Sequence, residues 1–432
     1  LWTFCLSFAF DFRADVDGGM GGSSMQYLFL LSALGSGAAI AFIGRGHLLQ
    51  KPGVYIIALW WCYLAFAFGV CILIGVPTVR FVRVIVPFVL LGVAIVVAHV
   101  AGCRRLRPEQ IVLPIAVAAL INILWRIFYG FAFRGVDMAT VRFEILSPTL
   151  NWSFAYIGVA TLLASRFKVS ALLLALAAGA CVLLSVTRAL ILPMFASALM
   201  CGLCLLLAIR WRAFSLDWLP RRLLSIAVVA GAAAMLVAGA FALQPTILER
   251  WTERLFEPSS GRTAVDPSLL TRQAEAVAMM EILKSDPPSI VYGKGVGGSY
   301  HWDDGFYPEL WQVYPADFDF SDEMWFAGHS VWTWSLFSGG IVGALFFVAL
   351  FGGLMIASLT SVRINAPYPG FAAYLGFLPF VAAWCILSES LTSNPFDERF
   401  AGLIFGLMAG LPQSLFVRAR DYRVLYEPTR EH

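Results

Sequence analysis

The amino-acid sequence predicts an all-α, polytopic membrane protein with about twelve transmembrane helices and one large polar loop. Three observations carry that expectation. Of the 432 residues, 60% are hydrophobic and 13% charged, and the mean hydropathy is +0.79. That balance leaves too little polar surface to clothe a soluble globule. The apolar runs, such as Val169 to Val186 and Leu223 to Leu243, are apolar on every face; strands of a membrane barrel alternate, so these runs demand helices. Finally, a stretch of about eighty-five residues from Gln244 to His329 mixes charges with aromatic residues, whereas elsewhere the charges sit in short turns.

Taken in order, the runs long enough to cross a bilayer are Leu1 to Phe10, Gln26 to Gly44, Val54 to Val76, Phe81 to Ala101, Glu109 to Phe131, Ile145 to Ser165, Val169 to Val186, Ala189 to Ile209, Leu223 to Leu243, Ser330 to Ala357, Pro369 to Ser388 and Phe400 to Val417. The first is short and the chain opens on Leu1, so a preceding segment is expected to be missing. Basic residues cluster in alternate short loops: Arg45 and Lys51; Arg104, Arg105 and Arg107; Arg166 and Lys168; Arg210, Arg212, Arg221 and Arg222; Arg363; Arg418, Arg420 and Arg423. The positive-inside rule makes those loops cytoplasmic. Both termini then lie inside, and the long loop lies outside with Thr187-Arg188, Phe133 to Glu144 and Glu389 to Glu398. Three parts follow: nine helices over 1–243, a loop domain over 244–329, and three helices with a tail over 330–432.

The net charge of +3 comes mostly from the inner loops, so it reports orientation and gives no ground for a nucleic-acid partner. All eight cysteines lie in or near the spans and none in the long loop, so no disulfide framework is expected there. Cys201-x-x-Cys204 falls mid-helix and reads as packing.

The long loop is too apolar to be disordered and should fold against the membrane. Ile247, Leu248, Trp251 and Leu255 form one stripe, with Glu249, Arg250, Glu253 and Arg254 mostly off it, the pattern of an interfacial helix. A second helix should begin at Asp266-Pro267 and run to about Lys284, where Asp286-Pro287-Pro288 stops it. Leu270, Ala274, Val277, Met280 and Leu283 form its expected buried side. Gly293-Lys-Gly295-Val-Gly297-Gly298 spells a dinucleotide fingerprint but lacks the strand and helix of a βαβ unit. A tight turn, in which glycines let backbones approach closely, is the better reading. From Tyr300 to Ala327 aromatic residues interleave with carboxylates, which suits sugar faces and hydroxyls, or a lid at headgroup level.

Several residues could carry chemistry. His329 falls in the first turn of the span beginning Ser330, where the positive helix end disfavours imidazolium and favours the neutral ring a general base requires. The plainer reading is a boundary histidine that caps the helix. Arg188 is held in a near-loopless turn at the outer boundary, where inside-positive anchoring does not explain it; its fork matches a diphosphate. The plainer reading is a snorkelling side chain meeting lipid phosphate. Arg272 and Arg262 carry the same two readings as loop residues. The pairs Asp303-Asp304, Asp317-Phe-Asp319 and Asp322-Glu323 could hold a divalent cation through hard oxygens, but short acidic pairs are common in outer loops, and neither a metal nor another cofactor is expected. Glu389 or Asp397 is a weaker acidic candidate, and Asn151, Arg142 and Arg134 could border a headgroup path.

Taken together, these pieces resemble the O-antigen ligase and polymerase superfamily of bacterial envelope glycosyltransferases. Three stretches carry the likeness. Ser185-Val-Thr-Arg188 closes a span like the family's Ser-Arg element. Arg272, followed through Met279-Met280 to Asp286-Pro287 and Tyr292-Gly-Lys-Gly295, is similar to its arginine helix and the turn after it. His329 opens a span, with Gly340-Ile-Val-Gly343 at the family's spacing. Two departures stand out: Ser330 follows His329 where many relatives have Asn, and Arg262 rivals Arg272 as the second family arginine, with Arg272 preferred for its distance to the Pro and Gly turn.

The resemblance implies a GT-C-like helical fold, multi-pass in the bacterial inner membrane with its site facing the periplasm. It implies transfer of a glycan (O-antigen) from undecaprenyl diphosphate to a lipid A-core hydroxyl in lipopolysaccharide biosynthesis, with no nucleotide sugar. By that likeness, Arg188 with Arg272 (or Arg262) neutralises the departing diphosphate, His329 takes the acceptor proton, and one displacement inverts the anomeric carbon. The same residues would serve a polymerase joining lipid-linked repeat units or, less favoured, a protein O-glycosylation enzyme. Outside the class stands a lipid-linked glycan transporter, whose polar groups would gather near the midplane rather than at one edge.

Overall fold

A computed structural model describes residues 1–12, 24–133, 144–214, 217, 219–256, 267–303, 305, 307–312, 324–326, 328–368, 372–396 and 398–426. Its elements are helices: α1 (Trp2–Leu6), α2 (Ser24–Ile43), α3 (Gly53–Ile74), α4 (Thr78–Cys103), α5 (Pro108–Phe133), α6 (Leu150–Leu163), α7 (Val169–Ser185), α8 (Ile191–Arg210), α9 (Leu219–Leu243), α10 (Pro245–Phe256), α11 (Pro267–Ser285), α12 (Ser289–Tyr292), α13 (Val331–Asn365), α14 (Ala373–Glu389) and α15 (Arg399–Tyr426), with short 3-10 turns between some. Among the described residues, extended backbone pairs only at an isolated bridge between Tyr300 and Trp325.

Among the described residues, eight helices are long and apolar enough to cross a membrane: α2, α3, α4, α5, α8 with the turn before it, α9, α13 and α15. Helices α6, α7 and α14 are apolar but shorter. Helix α6 starts at Leu150 rather than at the expected Ile145, because Pro148 biases the residue before it towards extended backbone. Helix α4 starts earlier than its apolar run, at Thr78, directly after Pro77.

Helices α4 and α15 form the central pair. Their seam is lined by Gly402, Gly406 and Gly410; a Cβ at these positions would meet Pro87 O at 2.5 Å, Leu91 O at 2.3 Å and the Ala98 Cβ at 2.4 Å. Small residues of this kind let two backbones approach where lipid supplies no hydrophobic drive. One apolar cluster joins α1, α2, α4 to α8, α14 and α15. A second joins α3, α4, α13 and α15 to residues of the long loop, among them Leu270, Ala274, Leu283, Val296, Tyr300, Trp302 and Leu310. The loop is thereby packed onto the bundle as part of its core.

A kink in α13 helps hold it there. Gly340 has φ 62° and ψ −161° inside the helix, which removes the helical partners of the carbonyls one turn earlier. Lys294 N–H donates to Phe337 O at 2.7 Å and Gly295 N–H to Ser338 O at 2.9 Å. The expected glycine turn is thus a docking device, in which Gly293 and Gly340 each approach the other segment's backbone. Elsewhere the bundle buries Arg126 of α5, 1% exposed and bonded to Glu398 at 2.6 Å.

Candidate active site

The site is built on α11. Leu270, Ala274, Ala278, Met279 and Leu283 are buried, while Met280, expected inside, is 40% exposed. The helix is rotated relative to the sequence expectation, and the rotation carries Glu275 inward until it is 2% exposed. A buried carboxylate must be compensated. Two bonds from His329 do this: its backbone N–H donates to Glu275 Oε1 at 2.7 Å, and its ring Nδ1 lies 2.6 Å from Oε2. Gly328 permits the approach, because a Cβ there would meet Trp334 Cβ at 2.8 Å and Glu275 Oε1 at 3.2 Å.

This pairing defines the imidazole. An ionised carboxylate only accepts, so the neutral ring keeps its hydrogen on Nδ1 and leaves Nε2 with a free lone pair. His329 lies one residue before Ser330, the N-cap of α13, rather than in the helix's first turn. Its orientation therefore comes from Glu275 more than from the helix end. The His329 side chain is 49% exposed, open enough to meet a substrate. Behind it, Ser330 Oγ donates to Ser390 O at 3.0 Å and Trp332 Nε1 to Ser390 Oγ at 2.9 Å. Those bonds fix the start of α13 against the end of α14.

Arg272 precedes Glu275 by three residues. That spacing sets both on one helix face, about 4.5 Å apart along the axis. The half-buried Arg272 is thus carried on the turn next to the carboxylate that holds His329. Arg188 opens the 3-10 turn Arg188–Leu190 leading into α8 and is also half-buried. Just before it, Val186 adopts a left-handed conformation, φ 47°, which is costly for a β-branched residue and turns the chain sharply. Trp251 of α10 donates to Leu183 O at 3.1 Å, securing the end of α7. The start of α8 meets α14, where Cys385 donates to Pro193 O. Arg188, α14's last residues and His329 therefore share one end of the bundle.

Arg262, the rival to Arg272, lies outside the described residues, as do Arg134, Arg142, Asp304, Asp317, Asp319, Asp322, Glu323 and Asp397. Asp303 accepts the Gly305 N–H at 2.8 Å. Glu389 accepts from Asn151 Nδ2. Among the described residues no group of three His, Cys, Asp or Glu is placed to hold a metal ion.

Sequence reasoning missed Glu275. Its signal was a carboxylate between apolar positions 274 and 278, three residues after a candidate arginine. The arrangement offers a half-exposed proton acceptor, a guanidinium one helical turn away and a second guanidinium at the same end. Such a set can deprotonate a hydroxyl and stabilise an anionic leaving group. No family profile and no curated protein sequence matches the chain.

Proposed function

We propose that the chain is an inverting membrane glycosyltransferase that moves a glycan from a polyprenyl diphosphate to an acceptor hydroxyl. The observation that carries the reading is the Glu275–His329 pair on the helix that bears Arg272. A carboxylate bonded to Nδ1 is how a histidine is kept ready as a base at Nε2. In this reading the acceptor hydroxyl gives its proton to Nε2 as its oxygen bonds to the anomeric carbon. The bond from that carbon to the diphosphate oxygen breaks, and its electron pair leaves with the diphosphate. Attack opposite the leaving group inverts the centre. Arg188 and Arg272 receive the growing negative charge, the work a divalent cation performs in other transferases.

The proposed topology counts twelve spans: the eight long helices found among the described residues, the shorter apolar α6, α7 and α14, and the apolar run that contains α1. The site then faces the periplasm of the bacterial inner membrane, with undecaprenyl diphosphate as carrier and lipid A-core as the first-choice acceptor. Purified chain reconstituted with a polyprenyl diphosphate-linked saccharide and a glycolipid acceptor tests the reading. A new glycosidic bond should form with chelator present and be lost in His329→Ala. Full transfer by His329→Ala sinks the base assignment; saccharide crossing the bilayer with no new bond sinks the enzyme reading in favour of a transporter.

A further inference from the structure

Two cations sit where the proposed topology does not want them. Arg80 and Arg83, in the first two turns of α4, lie at the His329 end of the bundle, outside by the positive-inside reading on which this inference rests. Orientation therefore gives no reason for them. They are three residues apart and so share one helix face.

The loop is built around this pair. Gly297 presses against the Arg80 backbone, where a Cβ would come within 2.9 Å of the Arg80 carbonyl carbon. Cys71 Sγ donates to Val296 O at 3.1 Å. Arg80 Nη1 then donates to Ser299 Oγ at 3.2 Å. From Ser299 the chain enters the bridge in which Tyr300 and Trp325 exchange two backbone bonds of 2.8 Å. Phe326 follows Trp325 directly, and the Arg83 guanidinium lies 5.2 Å from that ring's centroid. Phe326 is three residues before His329. The α4 arginines thus border the segment that delivers the base, on the α4 side, while α11 holds it from the other.

Among the described residues neither arginine forms an ion pair. One is bonded to a hydroxyl and the other rests on a ring face, an arrangement that orients a guanidinium without neutralising it. Arg83 is exposed. We propose that Arg83, steadied by Phe326 and flanked by Arg80, forms a second oxyanion subsite that binds a lipid-borne phosphate at the membrane edge of the site. The guanidinium fork and the depth at the head of a membrane helix select a phosphate carried on a lipid. Its two possible sources are a surrounding anionic phospholipid and the isoprenoid diphosphate itself.

Binding is read without transfer, so failure here leaves the transferase reading standing, and the reverse also holds. Purified full-length protein in a neutral detergent is titrated with dioctanoyl phosphatidic acid, geranylgeranyl diphosphate and, as a zwitterionic control, dioctanoyl phosphatidylcholine. Arg83→Gln should weaken one or both anionic probes about tenfold, the size of one lost charge-assisted contact, and the probe affected identifies the source. Arg104→Gln, at the opposite end of α4, should change neither. Phenylglyoxal modification of the unaltered sequence, followed by mass spectrometry, gives an answer that needs no variant: an anionic probe should protect Arg83. Unchanged affinities in Arg83→Gln, an equal loss in Arg104→Gln, or no protection of Arg83 overturns the proposal.

Discussion

Replacing Glu275 by Gln keeps the size of the side chain and removes only its capacity to accept twice. In the native pair, Oε1 takes the His329 backbone N–H at 2.7 Å and Oε2 faces Nδ1 at 2.6 Å. The amide can satisfy both partners in one way: its oxygen accepts from the backbone N–H, and its NH2 donates to Nδ1. The ring hydrogen must then move to Nε2, and the base loses the lone pair it needs. The flipped amide would point NH2 at the backbone N–H, leaving a buried donor unmet at about 1–3 kcal/mol. The non-accepting tautomer therefore dominates. Loss of general-base action is worth about 10²–10⁴ in rate. Transfer kinetics should show kcat for Glu275→Gln down at least about 100-fold, with the KM for donor little changed because Arg188 and Arg272 are untouched. Glu275→Asp, which still only accepts, should retain more. Nitrogen-15 spectra of the His329 ring should report Nδ1–H in the native protein and Nε2–H in the Gln variant. A kcat within about twofold of native, or an inactive variant with the native tautomer, would show that Glu275 does not act by setting the His329 tautomer.

Three further outcomes follow from the same geometry. Arg188→Gln and Arg272→Gln should each lower kcat/KM for the donor about 10–100-fold, the worth of one charge-assisted contact to phosphate, and Arg272→Lys should recover only part of it because a point charge lacks the fork; native kinetics in either Gln variant contradicts the assignment. Gly340→Ala should destabilise by about 3 kcal/mol or more, since a Cβ there meets Val291 C at 2.3 Å and φ is 62°; an unchanged thermal midpoint in detergent would show that the kink does not hold the loop. Asp11 is buried beside an Arg126 already bonded to Glu398, and burial outweighs the guanidinium's pull, pushing its carboxyl up from 3.8 to about 6. The folded state thus holds this proton more tightly than the unfolded chain. Stability should fall by on the order of 3 kcal/mol as pH rises between those two values and then level off; if Asp11→Asn keeps the native pH slope, another group is responsible.

Much of the scaffold was legible in the sequence because membrane helices write themselves in composition. The helix over Pro267–Ser285 followed from the Pro at its start and Asp286-Pro287-Pro288 after its end, and Gly293 to Gly298 read correctly as a turn. The partners of those elements were not legible. Leu270, Ala274 and Leu283 of α11 are buried as the sequence predicts, but Ala278 and Met279 take the inward places expected of Val277 and Met280. That small error concealed Glu275, since a glutamate on an amphipathic helix normally reads as its wet side. Arg126 escaped notice for a different reason: one arginine does little to the hydropathy of a long apolar run, although a charge at such depth requires a partner, here Glu398. Arg80 and Arg83 were absorbed into a span boundary, and only the docking of Gly297 and Phe326 on them gives them a place.

In the proposed reaction a diphosphate-linked donor is held between two guanidiniums and presented to Nε2 of His329. A structure of the protein with a non-hydrolysable phosphonate analogue of the donor tests it most directly. The diphosphate mimic should be bonded by Arg188 and Arg272, with the anomeric carbon facing His329 Nε2 across the space of an attacking hydroxyl. An analogue bound among the basic loops at the other end of the bundle, or arginines directed into separate compartments, would contradict it.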